Sequence, residues 1–354
     1  MKTGAIPQTP LEAIALAANA IPVPMAETHS GPMLARAIMA ATRIGLFDRL
    51  AGGPLDLEEL ATRCGSDVCA TAALATALVG AGYLTYRRGC FALTRRSRKW
   101  LLASSPSSVR DFILFRYVEW EWMSKLDDYL ASGEPIDFHR AMTPQQWRAY
   151  QRGMRAAAIP TVGEFVRKFP VPSSGARAML DIGGSHGLYA AALCRRLPAL
   201  RVEIVELPEA IPFASEIAAS ERMGDRITYR AGDARTLELG EEAYDIILIS
   251  NLAHHLSNDE NRSLCARAAR ALRPGGVLAV NEILVRPPSP ERGNPLGAIL
   301  GLYFSLTSRA GTYAVEEIAD WLRGAGLQLR HPVRFLTIPG GALVAGSKPP
   351  HKAA

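Results

Sequence analysis

The stretch Arg177-Ala-Met-Leu-Asp-Ile-Gly-Gly-Ser-His-Gly-Leu188 governs the reading of this chain. Its first half is an apolar run that reads as a strand over 177–182, and helical spacing resumes over 188–197. Glycines between a strand and a helix let a ligand approach the backbone closely at the carboxyl end of the strand. The same rhythm continues downstream. Strands are expected at 201–206, 227–231, 244–250 and 276–285, and helices at 208–219, 259–272 and 315–324. A terminal hairpin is expected at 332–338 and 342–346 around Pro339-Gly-Gly341. Strands alternating with helices specify a parallel, doubly wound α/β sheet.

Upstream, the pattern is mainly helical. Helices are expected at 10–19, 35–50, 57–64 and 69–80, followed by strands at 83–86 and 90–93 joined by a turn at 87–89. Helices and then a hairpin make the outline of a winged helix. Two further helices are expected at 109–130 and 145–169, the second with Pro160 inside it, and 170–175 is a linker by composition. The chain thus divides into a winged-helix-like domain at 1–105, a helical segment at 106–172 and an α/β domain at 173–354.

Composition limits the alternatives. The 354 residues are 48% hydrophobic and 21% charged, which excludes a disordered, collagenous or coiled-coil chain. No run approaches the ~18 apolar residues of a membrane span. The nearest, 11–25, is broken by Glu12, Pro22 and Pro24, and it lacks the basic lead and cleavage site of a signal peptide, so a cytoplasmic location and no membrane partner are expected. Five scattered cysteines form no CxxC pair and indicate neither a disulfide framework nor a metal site.

The glycine loop is not the GxGxxG of a dinucleotide site, because Ile182 stands at the first glycine position and Asp181 lies beside the loop. A carboxylate there repels a pyrophosphate. It suits a cofactor carrying an ammonium and a sulfonium, S-adenosylmethionine (SAM). Glu206 ends the second strand, where a carboxylate reaches a ribose hydroxyl pair, and Asp233 ends the third, where it would meet adenine. Asp181, Gly183, Gly184, Gly187, Glu206, Leu207, Asp233, Ala234, Ser250 and Asn251 are the expected cofactor contacts.

These motifs, with Val205-Glu-Leu-Pro208, Ser250-Asn-Leu-Ala-His254, Arg273-Pro-Gly-Gly276 and Trp321-Leu-Arg-Gly-Ala-Gly326, resemble the SAM-dependent O-methyltransferases of the plant caffeate and flavonoid type and their bacterial natural-product relatives. The resemblance runs from about Met33 to Ser347. It implies a seven-stranded Rossmann-like SAM domain with an antiparallel last hairpin, and a homodimer built through the winged-helix half. It also implies that His254 is the general base and that Glu282 orients it. The family has an acid and an aromatic residue after the base, where this chain has His255 and Leu256, so His255 is an alternative base. A second family acid, expected just before the late helix, is missing from Gly311-Thr-Tyr-Ala-Val315, with Glu316 and Glu317 close by.

A histidine with a pKa near ~6.5 can accept a phenol's proton as methyl transfer develops. Trp120, Trp122, Met154, Tyr303 and Phe304, with Asn251, are candidate contacts for a small hydroxylated acceptor of aromatic or polyketide-like type. His186 reads as a loop-satisfying residue, and His29, His139, His331 and His351 are assigned no role. The alternatives are a cofactor-binding relative with non-methylating chemistry, N- or C-methylation, or a winged-helix DNA-binding protein. The helix at 69–80 has no Arg or Lys, which argues against groove reading and against a nucleic-acid partner despite the net charge of +6.

Overall fold

The computed structural model describes residues 5–284, 295–308, 310–338 and 340–350. The chain forms two units, Lys2–Tyr117 and Val118–Ala354.

In the first unit, helices Gly31–Arg43, Leu46–Arg49, Leu57–Cys64 and Val68–Gly80 pack with the hairpin β1 (Leu84–Arg87) and β2 (Cys90–Leu93). Leu46, Phe47, Leu60, Leu78, Leu84 and Phe91 fill its core. The single helix expected at 35–50 is two helices, because Gly45 takes a φ of +74° and turns the chain. Asp56 and Asp67 cap the next two helices by accepting from Glu59 N and Ala70 N.

The second unit contains strands β3 (Ala178–Ile182), β4 (Arg201–Glu206), β5 (Ile227–Ala231), β6 (Tyr244–Ser250), β7 (Leu272–Ile283), β8 (Gln328–Leu329), β9 (Val333–Arg334) and β10 (Gly341–Ser347). Their order is β5-β4-β3-β6-β7-β10-β8, with β9 also on β10. β10 runs antiparallel to β7, and the strands from β5 to β7 are parallel. The expected seven positions are present. The last is shared by β8 and β9, which pair with successive parts of β10. The expected turn at 273–276 is an excursion within β7, where the register with β6 shifts between Tyr244 and Ile246. Val285, the expected end of that strand, lies outside the described residues.

Alternation along each strand feeds two cores. Leu180, Ile182, Ile247, Ile249, Leu278 and Val280 pack with Leu264 and Trp321 of helices Asn258–Ala271 and Val315–Gly324. Met179, Ile246, Leu248, Val277 and Ala279 pack on the other face with Phe165, Tyr189 and Leu193. Both faces are therefore covered, which is why these strands read as unbroken apolar runs.

The segment expected at 106–172 does not stand alone, since Val118 onward belongs to the second unit. Its long helix, Pro144–Lys168, is tied there by Glu164, which accepts from Leu336 N and Thr337 N at 3.0 Å. The expected helix at 109–130 breaks into Arg110–Met123 and Leu126–Ser132. Among the described residues, no helix is long and apolar enough to cross a membrane.

Candidate active site

Strand order reverses between β3 and β6, so their carboxyl ends open a crevice at a topological switch point. The glycine loop and the His254 loop meet there, where a Cβ added to Gly183 would lie 3.2 Å from Leu252 Cδ1. Gly183 and Gly187 take φ values of +68° and +67°, which favour glycine. Ser185 N donates to Glu206 Oε2 at 3.1 Å, Leu207 N donates to Glu206 Oε1 at 2.8 Å, and Tyr229 Oη donates to Ser185 O at 2.7 Å. Ser185 Oγ also donates to Gln151 Oε1 of the long helix.

Asp181 is buried under this loop, and its Oδ1 has no hydrogen-bond partner among the described residues. Burial and the nearby Glu206 charge push its carboxyl up to about 7, and burial pushes Glu206 up to about 7 as well. Two desolvated acids and an orphaned carboxylate oxygen fit a ligand that brings a cationic group and hydroxyl donors. They do not fit a phosphate.

At the end of β6, residues Ala253–His255 form one helical turn. His254 is 4% exposed, and its Nδ1 lies 2.9 Å from Glu282 Oε1 on β7. Ile283 N donates to the same Oε1 at 3.0 Å. Phe304, on helix Pro295–Thr307, stacks on the His254 ring at a centroid distance of 3.8 Å and 18°. A buried imidazole with one nitrogen held by a carboxylate is built to exchange a proton at the other.

Residues 179–276 match the methyltransferase-domain family, and residues 26–103 match the O-methyltransferase dimerisation domain. The chain belongs to the SAM-dependent O-methyltransferases. It is 29% identical over 340 residues to a 3-hydroxy-5-methyl-1-naphthoate 3-O-methyltransferase of Streptomyces sahachiroi, covering 92% of this chain and 95% of that one. It is 29% identical over 331 residues to the tetracenomycin polyketide synthesis 8-O-methyl transferase TcmO of Streptomyces glaucescens, covering 89% and 93%. Human N-acetylserotonin methyltransferase, solved in complex with SAM, shares the fold with a TM-score of 0.81 at 18% identity, covering 97% of this chain and 100% of that one.

In this O-methyltransferase four of the expected cofactor residues also make contacts within the protein. The Asp233 carboxylate is committed to Arg235, whose Nε and Nη2 lie 3.0 and 2.5 Å from Oδ2, and this pairing holds it below the usual carboxylate range. Ser250 Oγ accepts from Asn281 Nδ2 at 2.9 Å and is nearly buried, so it joins β6 to β7. Asn251 is exposed with a φ of +50°, and its amide lies 3.4 Å from Ser250 Oγ. Ala234 presents its carbonyl to Arg267 Nη2 at 2.6 Å.

The two adjacent histidines have different partners. His254 pairs with Glu282, and His255 Nδ1 lies 2.8 Å from Ser308 Oγ. Glu317 accepts from Ala314 N at 2.8 Å, capping its own helix, whereas Glu282 is the acid beside His254. His186 is buried, accepts from Leu188 N at 3.1 Å, and is pushed down to about 3 by burial and the Arg155 charge. It is a neutral loop-holding group.

Of the candidate acceptor contacts, Phe304 lies on the His254 ring. Tyr303 Oη donates to Glu119 Oε1 at 2.7 Å, and Trp122 packs on Phe138 at 4.7 Å. Met154 is half-buried on the long helix, one turn after Tyr150. Sequence reasoning missed His139, whose ring centroid lies 4.9 Å from that of His255, and also missed Gln151 and Ser308. Nothing in local spacing signals these three, since each meets its partner across more than 30 residues of chain.

Proposed function

We propose that this O-methyltransferase transfers a methyl group from SAM to a phenolic hydroxyl of an aromatic, polyketide-like small molecule, with His254 as general base and Glu282 as its positioning partner. The observation that carries the reading is the buried His254 Nδ1–Glu282 Oε1 contact at 2.9 Å. SAM, when bound, supplies an electrophilic methyl on a sulfonium. Asp181 and Glu206 would hold its ammonium and ribose, since Asp181 is buried, Glu206 is half-buried, and neither is ion-paired among the described residues. With the Nδ1 proton directed at Glu282, His254 Nε2 is left to accept the phenol's proton. At pH 7 only about one phenol in a thousand is ionised, so such a base is useful, typically by ~10²–10⁴-fold.

An amine nucleophile has a free lone pair and needs no such base, so the His254–Glu282 pair favours O- over N-methylation. The acceptor class is supported by the two Streptomyces relatives, whose names describe 3-O-methylation of a hydroxynaphthoate and 8-O-methyl transfer in tetracenomycin polyketide synthesis. The dimerisation domain supports a homodimer paired through residues 26–103, and the reading places the enzyme in the cytoplasm.

The experiment is mass-spectrometric. Purified protein, SAM and a panel of phenolic and naphtholic acceptors should give products carrying one added methyl. His254→Ala should lose this turnover while binding S-adenosylhomocysteine (SAH) normally. Unchanged turnover in that variant would remove His254 from the base role.

A further inference from the structure

His139 stands beside the base loop, and nothing in the preceding mechanism uses it. It lies in the short helix Phe138–Ala141. Its ring is 3.9 Å from Phe138 and stacks on Trp147 at 5.6 Å and 26°. Its edge meets His255 at 4.9 Å and 77°, and His255 in turn lies 4.1 Å from the base His254. Phe138 and Trp147 fix the plane of the imidazole. Its nitrogens make no hydrogen bond among the described residues, whereas His255 is anchored to Ser308 Oγ at 2.8 Å.

Burial pushes His139 down to about 4, with Asp137 opposing and His254 and Arg235 reinforcing the shift. At neutral pH it is therefore an uncharged imidazole with one N–H donor and one bare nitrogen. A half-buried donor held rigidly by aromatic rings, with no protein partner, is provision for a ligand atom.

We propose that His139 is an acceptor-recognition residue: its ring N–H binds a carbonyl or carboxylate oxygen that lies ortho to the hydroxyl being methylated. The substrate class is thus an ortho-hydroxy aromatic acid or ketone. This rests on the O-methylation reading and narrows it. Such acceptors hold their phenolic proton in an internal O–H···O hydrogen bond, which hides it from a base. A donor that takes over the carbonyl or carboxylate oxygen competes with that internal bond and frees the hydroxyl to turn toward His254. The acceptor's second oxygen then acts as a handle that sets which hydroxyl reacts.

The test uses full-length enzyme saturated with SAH, titrated calorimetrically with 1-hydroxy-2-naphthoate and with 1-naphthol. The wild type should bind the hydroxy acid at least ~10-fold more tightly than the naphthol. His139→Phe, which keeps the stacking and removes both nitrogens, should erase that preference while leaving 1-naphthol and SAH affinities unchanged. His139→Gln, which restores a neutral donor, should recover part of it. If His139→Phe fails to bind SAH, His139→Leu against His139→Gln carries the same comparison. A preference that persists without the imidazole, or a wild type with none, overturns the proposal. If neither probe binds, the proposal is likewise overturned, and methylation of other phenols in the acceptor panel would show that the O-methylation reading survives.

Discussion

Gly184 lies directly on the carboxylate of Asp181: a Cβ built at Gly184 would stand 2.5 Å from Asp181 Cγ and 2.6 Å from Oδ2. The glycine is required here by this contact, since Asp181 has no room to retreat within the core of β3. Gly184→Ala should displace the acid proposed to hold the cofactor's ammonium. The expected result is at least a ~10-fold loss of SAM and SAH affinity by calorimetry, with the far-ultraviolet circular dichroism spectrum retained.

Asp181 and Glu206 make the unliganded protein sensitive to pH. Both are raised to about 7 from ordinary carboxylate values, so between pH ~4 and about 7 the folded form binds more protons than the unfolded chain. That extra stability is present at low pH and is lost as pH rises through the folded values. The melting temperature of the unliganded protein should therefore fall from pH 5.5 to pH 8 by ~2–4 °C. Saturating SAH, whose ammonium would pair with Asp181, should raise the melting temperature more at pH 8 than at pH 5.5. Asp181→Asn should flatten the unliganded profile.

Glu282 has one oxygen shared by His254 and Ile283 N, and its Oε2 has no partner among the described residues. Glu282→Gln keeps a hydrogen-bond acceptor for the imidazole but removes the negative charge beside it. Turnover should fall ~10–100-fold, less than for His254→Ala, with KM for SAM unchanged. Equal losses in the two variants would mean that the charge, rather than the orientation, is the larger part of the effect.

Arg267 is 8% exposed and reaches from helix Asn258–Ala271 to the loop after β5, donating to Ala234 O at 2.6 Å and Arg235 O at 3.0 Å and also to Leu237 O. Hydrogen bonds to a charged group contribute about 1.5–3 kcal/mol. Arg267→Ala should lower chemical-denaturation stability by at least ~1.5 kcal/mol and weaken SAH binding, since the loop carrying Asp233 and Ala234 loses its anchor. An unchanged SAH affinity would show that this loop does not touch the cofactor.

The alternation of Met179 with Leu180 and of Ile246 with Ile247, and the glycines after β3, are local properties of neighbouring residues. The chain by itself therefore determined the α/β sheet, its parallel core and the strand ends from which Asp181, Glu206 and His254 project. Gly45 escaped that reading because its apolar neighbours Ile44, Leu46 and Phe47 keep helical spacing across the turn. Which histidine meets Glu282, the Arg235 grip on Asp233, and the imidazole of His139 beside His255 were decided only by the tertiary structure. Distances of a few ångströms between side chains on separate elements depend on how helices and loops settle on the sheet, and no periodicity in the chain encodes them.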